Sequence, residues 1–99
     1  MNINFSNHKI KPVFSDSRGD IFDILEFPVK HIGKIIFKKG AVRGNHYHKK
    51  SIQYSYVISG KLKLTIMGFN DKKIKKIILR EGDLTTIPPK MIHTYRALA

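Results

Sequence analysis

Short runs of apolar residues, in which apolar and polar positions alternate, recur along the chain between turn-forming residues. The pattern lacks the three-to-four-residue apolar spacing of a long helix and is typical of strands that bury one face. Because many short strands joined by tight turns form sandwiches or barrels, the pattern predicts an all-β fold. The predicted strands cover residues 10–14, 20–27, 31–37, 41–48, 52–59, 62–67, 73–79, 84–87 and 91–97.

Glycine, proline and short polar residues predict the connections between these strands. Polar turns are expected at residues 15–19, 38–40 and 80–83. Hairpins are expected at 60–61 and at 68–72, where glycine follows an apolar run. Pro88 and Pro89 should end the strand before them, because proline has no amide hydrogen to donate to a sheet.

Two histidines and one glutamine are the candidate chemical groups of the central segment. His46 and His48 are two residues apart, so they should project from the same face of a strand. Alternation along 52–59 places Gln53, Ser55 and Val57 on one face, away from the tyrosines. If this strand folds back antiparallel on the preceding one, Gln53 can join the histidines.

Composition limits the class of protein. We expect one domain over residues 1–99, since a chain of this length with 41% hydrophobic residues supports one core. The absence of cysteine excludes disulfides and cysteine metal sites. No apolar run approaches the roughly 18 residues of a membrane span, and no basic-then-apolar leader is present. These features predict a soluble, cytoplasmic protein that does not contact membranes.

The charge balance favours an anionic partner. Nineteen basic and seven acidic residues give a formal charge of +12. Most of the excess is lysine scattered in pairs, which is typical of solvated strand ends and turns. No aromatic-interleaved basic helix or known nucleic-acid module is present, so we expect no nucleic-acid partner.

The spacing of the central residues resembles a known motif. Gly40, five residues, His46-x-His48, four residues, Gln53, six residues and Gly60 are similar to the first cupin motif, G-x5-H-x-H-x4-E-x6-G. Glutamine stands where the family usually has glutamate.

A second stretch resembles the second cupin motif, with Gly82, Pro88 and His93 at the matching positions. Lys90 and Ala97 replace the usual glycine and asparagine. The resemblance implies a small antiparallel β-barrel or jelly roll whose open mouth is lined by motif residues. The pattern ends in mid-strand, which leaves open whether a partner subunit completes the barrel or the chain is truncated at its C-terminal strand.

Narrower resemblances concern sugar-nucleotide enzymes. The string Arg43-Gly44-x-His46-x-His48-Lys49-Lys50-x-x-Gln53 is similar to dTDP-sugar 3,4-ketoisomerases, and its first half to dTDP-4-dehydrorhamnose 3,5-epimerases. Asp16-x-Arg18-Gly19 is similar to a segment that both groups share. These resemblances imply a homodimeric isomerase or epimerase in deoxysugar and surface-polysaccharide biosynthesis. Its substrate would be a dTDP-linked or UDP-linked 4-keto-6-deoxyhexose.

The resemblance also implies roles for individual residues. His46 would remove the proton beside the ketone, because a histidine of ordinary pKa near 6.5 is largely neutral at pH 7, and His48 would be the second proton carrier. Whether the proton returns to the same carbon or to its neighbour stays open. Arg43 would contact the phosphate or the ketone, and Arg18 the diphosphate, across a dimer interface. The remaining substrate-binding candidates are Gln53, His93 and Tyr95, and Tyr95 is also an alternative acid.

Two other functions stay open. His46, His48, Gln53 and His93 match the metal ligands of cupins and would hold a divalent ion such as zinc or nickel. Glutamine is a neutral and poorer ligand than glutamate, so we expect no metal cofactor. The short chain and the substitutions at Gln53 and Lys90 also allow a non-catalytic module that binds a sugar or nucleotide.

Overall fold

The computed structural model describes residues 4–46, 50–68 and 73–98, with the backbone alone at Asn45 and His46. The described residues form nine strands and no helix, so none of their elements is a helix that could cross a membrane. The prediction of an all-β fold is confirmed. The strands are β1 (Ser6–Lys9), β2 (Phe14–Asp16), β3 (Gly19–Ile21), β4 (Val42–His46), β5 (Gln53–Tyr56), β6 (Lys61–Gly68), β7 (Ile74–Arg80), β8 (Asp83–Ile87) and β9 (Met91–Ala97).

Two antiparallel sheets and one separate hairpin make up the architecture. One sheet has the strand order β1-β8-β5, and the other has the order β4-β9-β6-β7. The hairpin of β2 and β3 pairs with neither sheet. The core lies between the sheets and contains side chains from both, as in a jelly roll; it comprises Val57, Leu64, Ile66, Leu79, Ile87 and Tyr95.

Several turns form where the sequence predicts them, and each has a local cause. The Asp16 carboxylate accepts a hydrogen bond from the Arg18 amide at 2.9 Å, which closes the β2–β3 turn. The Asp83 carboxylate accepts one from the Arg80 amide, also at 2.9 Å. The strand β8 ends before Pro88, as predicted, and β9 begins three residues later.

A bulge in β4 adjusts the pairing beside the centre of the fold. Arg43 pairs with Tyr95 and Gly44 with Thr94, but the next pair joins His46 to His93, so Asn45 is the extra residue. Gly44 has a φ of 120°, a conformation that side chains rarely adopt. The bulge therefore sets the register between the first histidine of the motif and β9.

Three predicted strands near the N-terminus are wrong in extent. The first strand is Ser6–Lys9 rather than residues 10–14, because Pro12 cannot donate to the ladder with β8. The strand predicted over 20–27 ends at Ile21. Residues 31–37 form no strand, although most of them are apolar, because no strand within the described residues pairs with them.

The predicted pairing of the central strands is also wrong. No hairpin joins residues 52–59 to 62–67, because β5 pairs with β8 whereas β6 pairs with β7 and β9. Likewise, β5 does not fold back on β4 but lies in the other sheet. The hairpin between β6 and β7 is confirmed by their pairing from Met67 and Ile74 onward. Alternation fixes which face of a strand is apolar, but it does not fix the strand's neighbour.

Candidate functional site

A cavity of about 420 Å³ lies between the two sheets. Three strands and the segment before β4 contribute to it. The lining residues are Ile35, Phe37, Arg43, Gly44, Gln53, His93 and Tyr95. The volume falls within the range of roughly 300–1,000 Å³ that is typical of small-molecule sites. The described lining contains one guanidinium and no carboxylate, so it favours an anionic ligand.

Tyr95 links the two sheets through its hydroxyl. From β9 it reaches β5, where Gln53 Nε2 donates to Tyr95 Oη at 2.9 Å. Ser55 Oγ lies 2.8 Å from the same hydroxyl, and 3.3 Å from Gln53 Nε2. Because all three groups are at least partly buried, each hydrogen bond replaces water that the group would otherwise need.

Burial also affects the acidity of Tyr95. Removal from water raises the pKa of the phenol above its ordinary value of 10.0, and the hydrogen bonds from Ser55 and Gln53 oppose this only in part. Tyr95 is therefore a neutral hydroxyl at pH 7, able to donate one hydrogen bond and accept others.

His93 and Arg43 complete the polar part of the lining. His93 is 1% exposed, its Nδ1 lies 3.4 Å from the Met91 carbonyl oxygen, and its ring centroid is 5.7 Å from that of Tyr95. Arg43 pairs with Tyr95 in the β4–β9 register, so their side chains share the inner face. The Arg43 guanidinium carbon lies 5.8 Å from the centre of the Phe37 ring, a cation–π arrangement that holds the charge at the cavity.

The structure brings together four of the residues predicted from the sequence, namely Arg43, Gln53, His93 and Tyr95. The backbone of His46 lies directly opposite His93. His48 lies outside the described residues, as does the His46 side chain. The predicted roles of these two histidines therefore stay predictions.

Arg18 does not line the cavity of its own chain. It lies on the β2–β3 turn, where its guanidinium contacts the Asp16 carboxylate at 2.6 Å. This ion pair and the amide hydrogen bond hold the pKa of Asp16 below its usual value. The predicted contact of Arg18 with a diphosphate therefore stays a prediction.

The ligand set of a metal site is only partly within the described residues. No cluster of three histidine, cysteine, aspartate or glutamate side chains occurs in that part of the chain. At the position of the usual carboxylate, Gln53 presents a neutral amide whose nitrogen faces Tyr95 and Ser55. A neutral amide is a poorer ligand for a divalent cation than a carboxylate is, and the mechanism proposed below includes no step through a metal.

Sequence reasoning missed four residues of the site. Ser55 was assigned to the correct face by alternation, but its contact with Tyr95 depends on a residue 40 positions away. Ile35 and Phe37 were assigned to a strand rather than to a cavity wall. Gly44 enters the sequence analysis only as part of a motif, although a Cβ added to it would lie 2.5 Å from a backbone oxygen of β9.

The chain belongs to the cupin domain family, whose model matches residues 33–99. This match covers more than half of the chain and includes every residue that lines the cavity. No curated protein sequence matches the chain significantly.

Solved structures with the same fold include sugar 3,4-ketoisomerases. One is a double mutant of the 3,4-ketoisomerase QdtA from Thermoanaerobacterium thermosaccharolyticum in complex with TDP, with 26% identity and a TM-score of 0.74 over 100% of this chain and 75% of that chain. A histidine-to-asparagine mutant of the same enzyme, in complex with TDP-4-keto-6-deoxyglucose, has 25% identity and a TM-score of 0.70 over 96% and 72%. A 3,4-ketoisomerase from Helicobacter canadensis shares the fold, with 22% identity and a TM-score of 0.81 over 99% and 77%.

Proposed function

We propose that this chain is a sugar-nucleotide isomerase that moves the ketone of a TDP-linked 4-keto-6-deoxyhexose to the neighbouring ring carbon, in deoxysugar and surface-polysaccharide biosynthesis. The observation that carries the proposal is the convergence of Arg43, Gln53, His93 and Tyr95 on one cavity. The chain shares its fold with a 3,4-ketoisomerase to which it is 26% identical. The ketoisomerase similarity favours ketone migration over epimerisation.

The reaction needs a base, a proton source and a stabilised oxygen anion. A base removes the proton from carbon 3, the electron pair moves toward the ketone at carbon 4, and an enediolate forms. Protonation at carbon 4, together with transfer of the hydroxyl proton from the oxygen on carbon 3 to the oxygen on carbon 4, then leaves a ketone at carbon 3 and a hydroxyl at carbon 4. Ile35 and Phe37 add apolar walls to the cavity, so a ligand bound against them displaces water and experiences stronger electrostatic interactions.

His46 is the proposed base and His48 the proposed second proton carrier. A histidine near its ordinary pKa is suited to both steps at pH 7. Support for His46 comes from its position in the cupin motif and from its backbone pairing opposite His93, which lines the cavity. His48 is assigned by the motif alone.

Arg43 is the proposed electrostatic group. Its guanidinium is held over the Phe37 ring at the cavity, where it presents planar donors to a keto oxygen or a phosphate oxygen. The enediolate carries more negative charge on oxygen than the ketone does. A cation at this position therefore favours the intermediate over the substrate.

The proposal also includes a homodimer. Ten large apolar side chains between Val13 and Ile36 are at least 38% exposed in the isolated chain. The β2–β3 hairpin in the same region belongs to neither sheet, and an isolated two-stranded hairpin is marginally stable. A second copy that covers this segment would remove the exposed apolar surface, and light scattering during gel filtration should give twice the mass of 11.4 kDa.

In the dimer, Arg18 is proposed to act in the cavity of the partner, where its charge would meet the diphosphate. Mixing inactive Arg18→Ala and His46→Asn subunits tests this arrangement. If Arg18 acts across the interface, each mixed dimer has one intact site, and random mixing restores about one quarter of wild-type activity. If Arg18 acts within its own chain, no mixed dimer has an intact site and no activity returns.

The activity itself is tested with TDP-4-keto-6-deoxyglucose and carbon-13 NMR. The proposal predicts that the carbonyl signal of carbon 4 declines while one at carbon 3 appears. Inversion at a carbon without ketone migration would show an epimerase instead. Tight binding without any new signal would favour a non-catalytic binding module.

A further inference from the structure

Ser55 contacts the site from behind Tyr95. It does not belong to the described lining of the cavity, whereas its hydrogen-bond partners Tyr95 and Gln53 do. Any effect of the Ser55 hydroxyl on a ligand in the cavity must therefore pass through those two side chains.

The amide of Gln53 has two chemically opposite ends. Its nitrogen donates to Tyr95 Oη at 2.9 Å and lies 3.3 Å from Ser55 Oγ. The amide oxygen accepts no hydrogen bond within the described part of the chain, and Gln53 lines the cavity. Because the amide nitrogen faces the two hydroxyls, the amide oxygen of Gln53 is available to accept a hydrogen bond from a ligand.

The direction of the hydrogen bonds explains this orientation. The Gln53 nitrogen can only donate, so Tyr95 Oη accepts from it and must place its own proton elsewhere. Ser55 Oγ, at 2.8 Å, is the acceptor available to that proton. Without Ser55, the phenol loses this acceptor within the chain, and rotation of the amide would supply another by presenting its oxygen, which would turn the nitrogen toward the ligand.

We propose that Ser55 is a positioning residue that, through the Tyr95 hydroxyl, holds the Gln53 amide with its oxygen as a hydrogen-bond acceptor for the ligand. A ligand bound beside Gln53 must then present a donor, such as a sugar hydroxyl, at that point. Analogues without a donor there leave a buried acceptor unpaired and are rejected. The assignment to a sugar hydroxyl rests on the proposed function, whereas the amide orientation does not.

The orientation is tested without substrate. Gln53 is the only glutamine in the sequence, so protein labelled with nitrogen-15 at the glutamine side-chain amide gives one NMR signal pair. The wild type and Ser55→Thr, which keeps a hydroxyl, should show slow exchange of these amide protons with water. Ser55→Ala and Tyr95→Phe should speed the exchange by roughly tenfold, as expected when a buried hydrogen bond is lost. Equal exchange in all four proteins would overturn the proposal.

The consequence for turnover is tested in two backgrounds. Ser55→Ala should lower kcat/KM by about three- to tenfold, the effect of one neutral hydrogen bond, whereas Ser59→Ala, an exposed serine, should not. In a Gln53→Glu background, Ser55→Ala should lower kcat/KM by less than about twofold, because a carboxylate presents oxygen in either orientation. An equal loss in both backgrounds would show that Ser55 only packs, and would overturn the proposal. If the wild type has no turnover, the proposed function fails, but the NMR result still decides the orientation.

Discussion

Gly44→Ala tests whether the β4 bulge determines the geometry of the site. Gly44 has a φ of 120°, and a Cβ added to it would lie 2.5 Å from the His93 carbonyl oxygen and 2.9 Å from the Thr94 Cα. Both atoms belong to the backbone of β9, a strand that is hydrogen-bonded on both sides. They cannot rotate away as the end of a side chain would, so the alanine must push the strands apart.

Two costs add in this substitution. A residue other than glycine at such a φ costs about 1–3 kcal/mol. Displacing packed backbone costs about 1–3 kcal/mol more. We therefore expect the free energy of unfolding to fall by about 2–6 kcal/mol, a large part of the roughly 5–15 kcal/mol typical of a domain. At about 4–8 °C per kcal/mol, Tm should fall by at least about 8 °C.

Gly40→Ala is the matched control. Gly40 also has a positive φ, 82°, but an added Cβ would meet no atom within 4 Å. Gly40→Ala should lower the free energy of unfolding by only about 1–2 kcal/mol, which is the cost of the backbone conformation. Urea unfolding of both variants measures the difference. Equal losses would refute the reasoning that close packing of β4 on β9 constrains the backbone beside His93.

Three further predictions concern individual side chains. Arg43→Ala should lower kcat/KM for a TDP-linked substrate by about 10–100-fold, the loss expected for a charged hydrogen bond, whereas Arg96→Ala, which removes an exposed arginine outside the cavity lining, should not. Protein purified without chelators should carry less than about a tenth of an equivalent of zinc or nickel, and Gln53→Glu should carry more, because it supplies an anionic ligand. As pH rises above 10.0, the unfolded chain loses the Tyr95 proton before the folded chain does, because burial raises the pKa of Tyr95. The free energy of unfolding should therefore fall as pH rises. Urea unfolding at matched pH should show a smaller decline for Tyr95→Phe.

The sequence predicts strands well where a clear alternation of apolar and polar residues is bounded by a residue that interrupts the sheet, such as proline. The bounds of β9 match the predicted strand over 91–97, because a double proline precedes a clear alternation. Alternation along residues 52–59 likewise places Gln53 and Ser55 correctly on the inner face of β5. These features depend on residues close together in the chain, so a local pattern is sufficient to predict them.

Partners distant in the sequence were not predictable in the same way. The apolar run over 31–37 resembles a strand, yet a strand forms only where another strand offers hydrogen bonds, and none does so in the described chain. The hydrogen bond between Ser55 and Tyr95 joins two sheets whose pairing was predicted wrongly. Four candidate side chains were nevertheless found. Motif spacing singles out Gln53 and His93, the resemblance to sugar-nucleotide enzymes singles out Arg43, and alternation places Tyr95 on the same face as His93.

Deuterium incorporation tests the central claim most directly. The protein is incubated with TDP-4-keto-6-deoxyglucose in deuterium oxide, and the sugar is analysed by NMR and mass spectrometry. If a histidine of this site removes a proton beside the ketone, deuterium should enter at carbon 3 or carbon 4 with the wild type and fail to enter with His46→Asn. No label with the wild type, or full label with His46→Asn, would contradict the account.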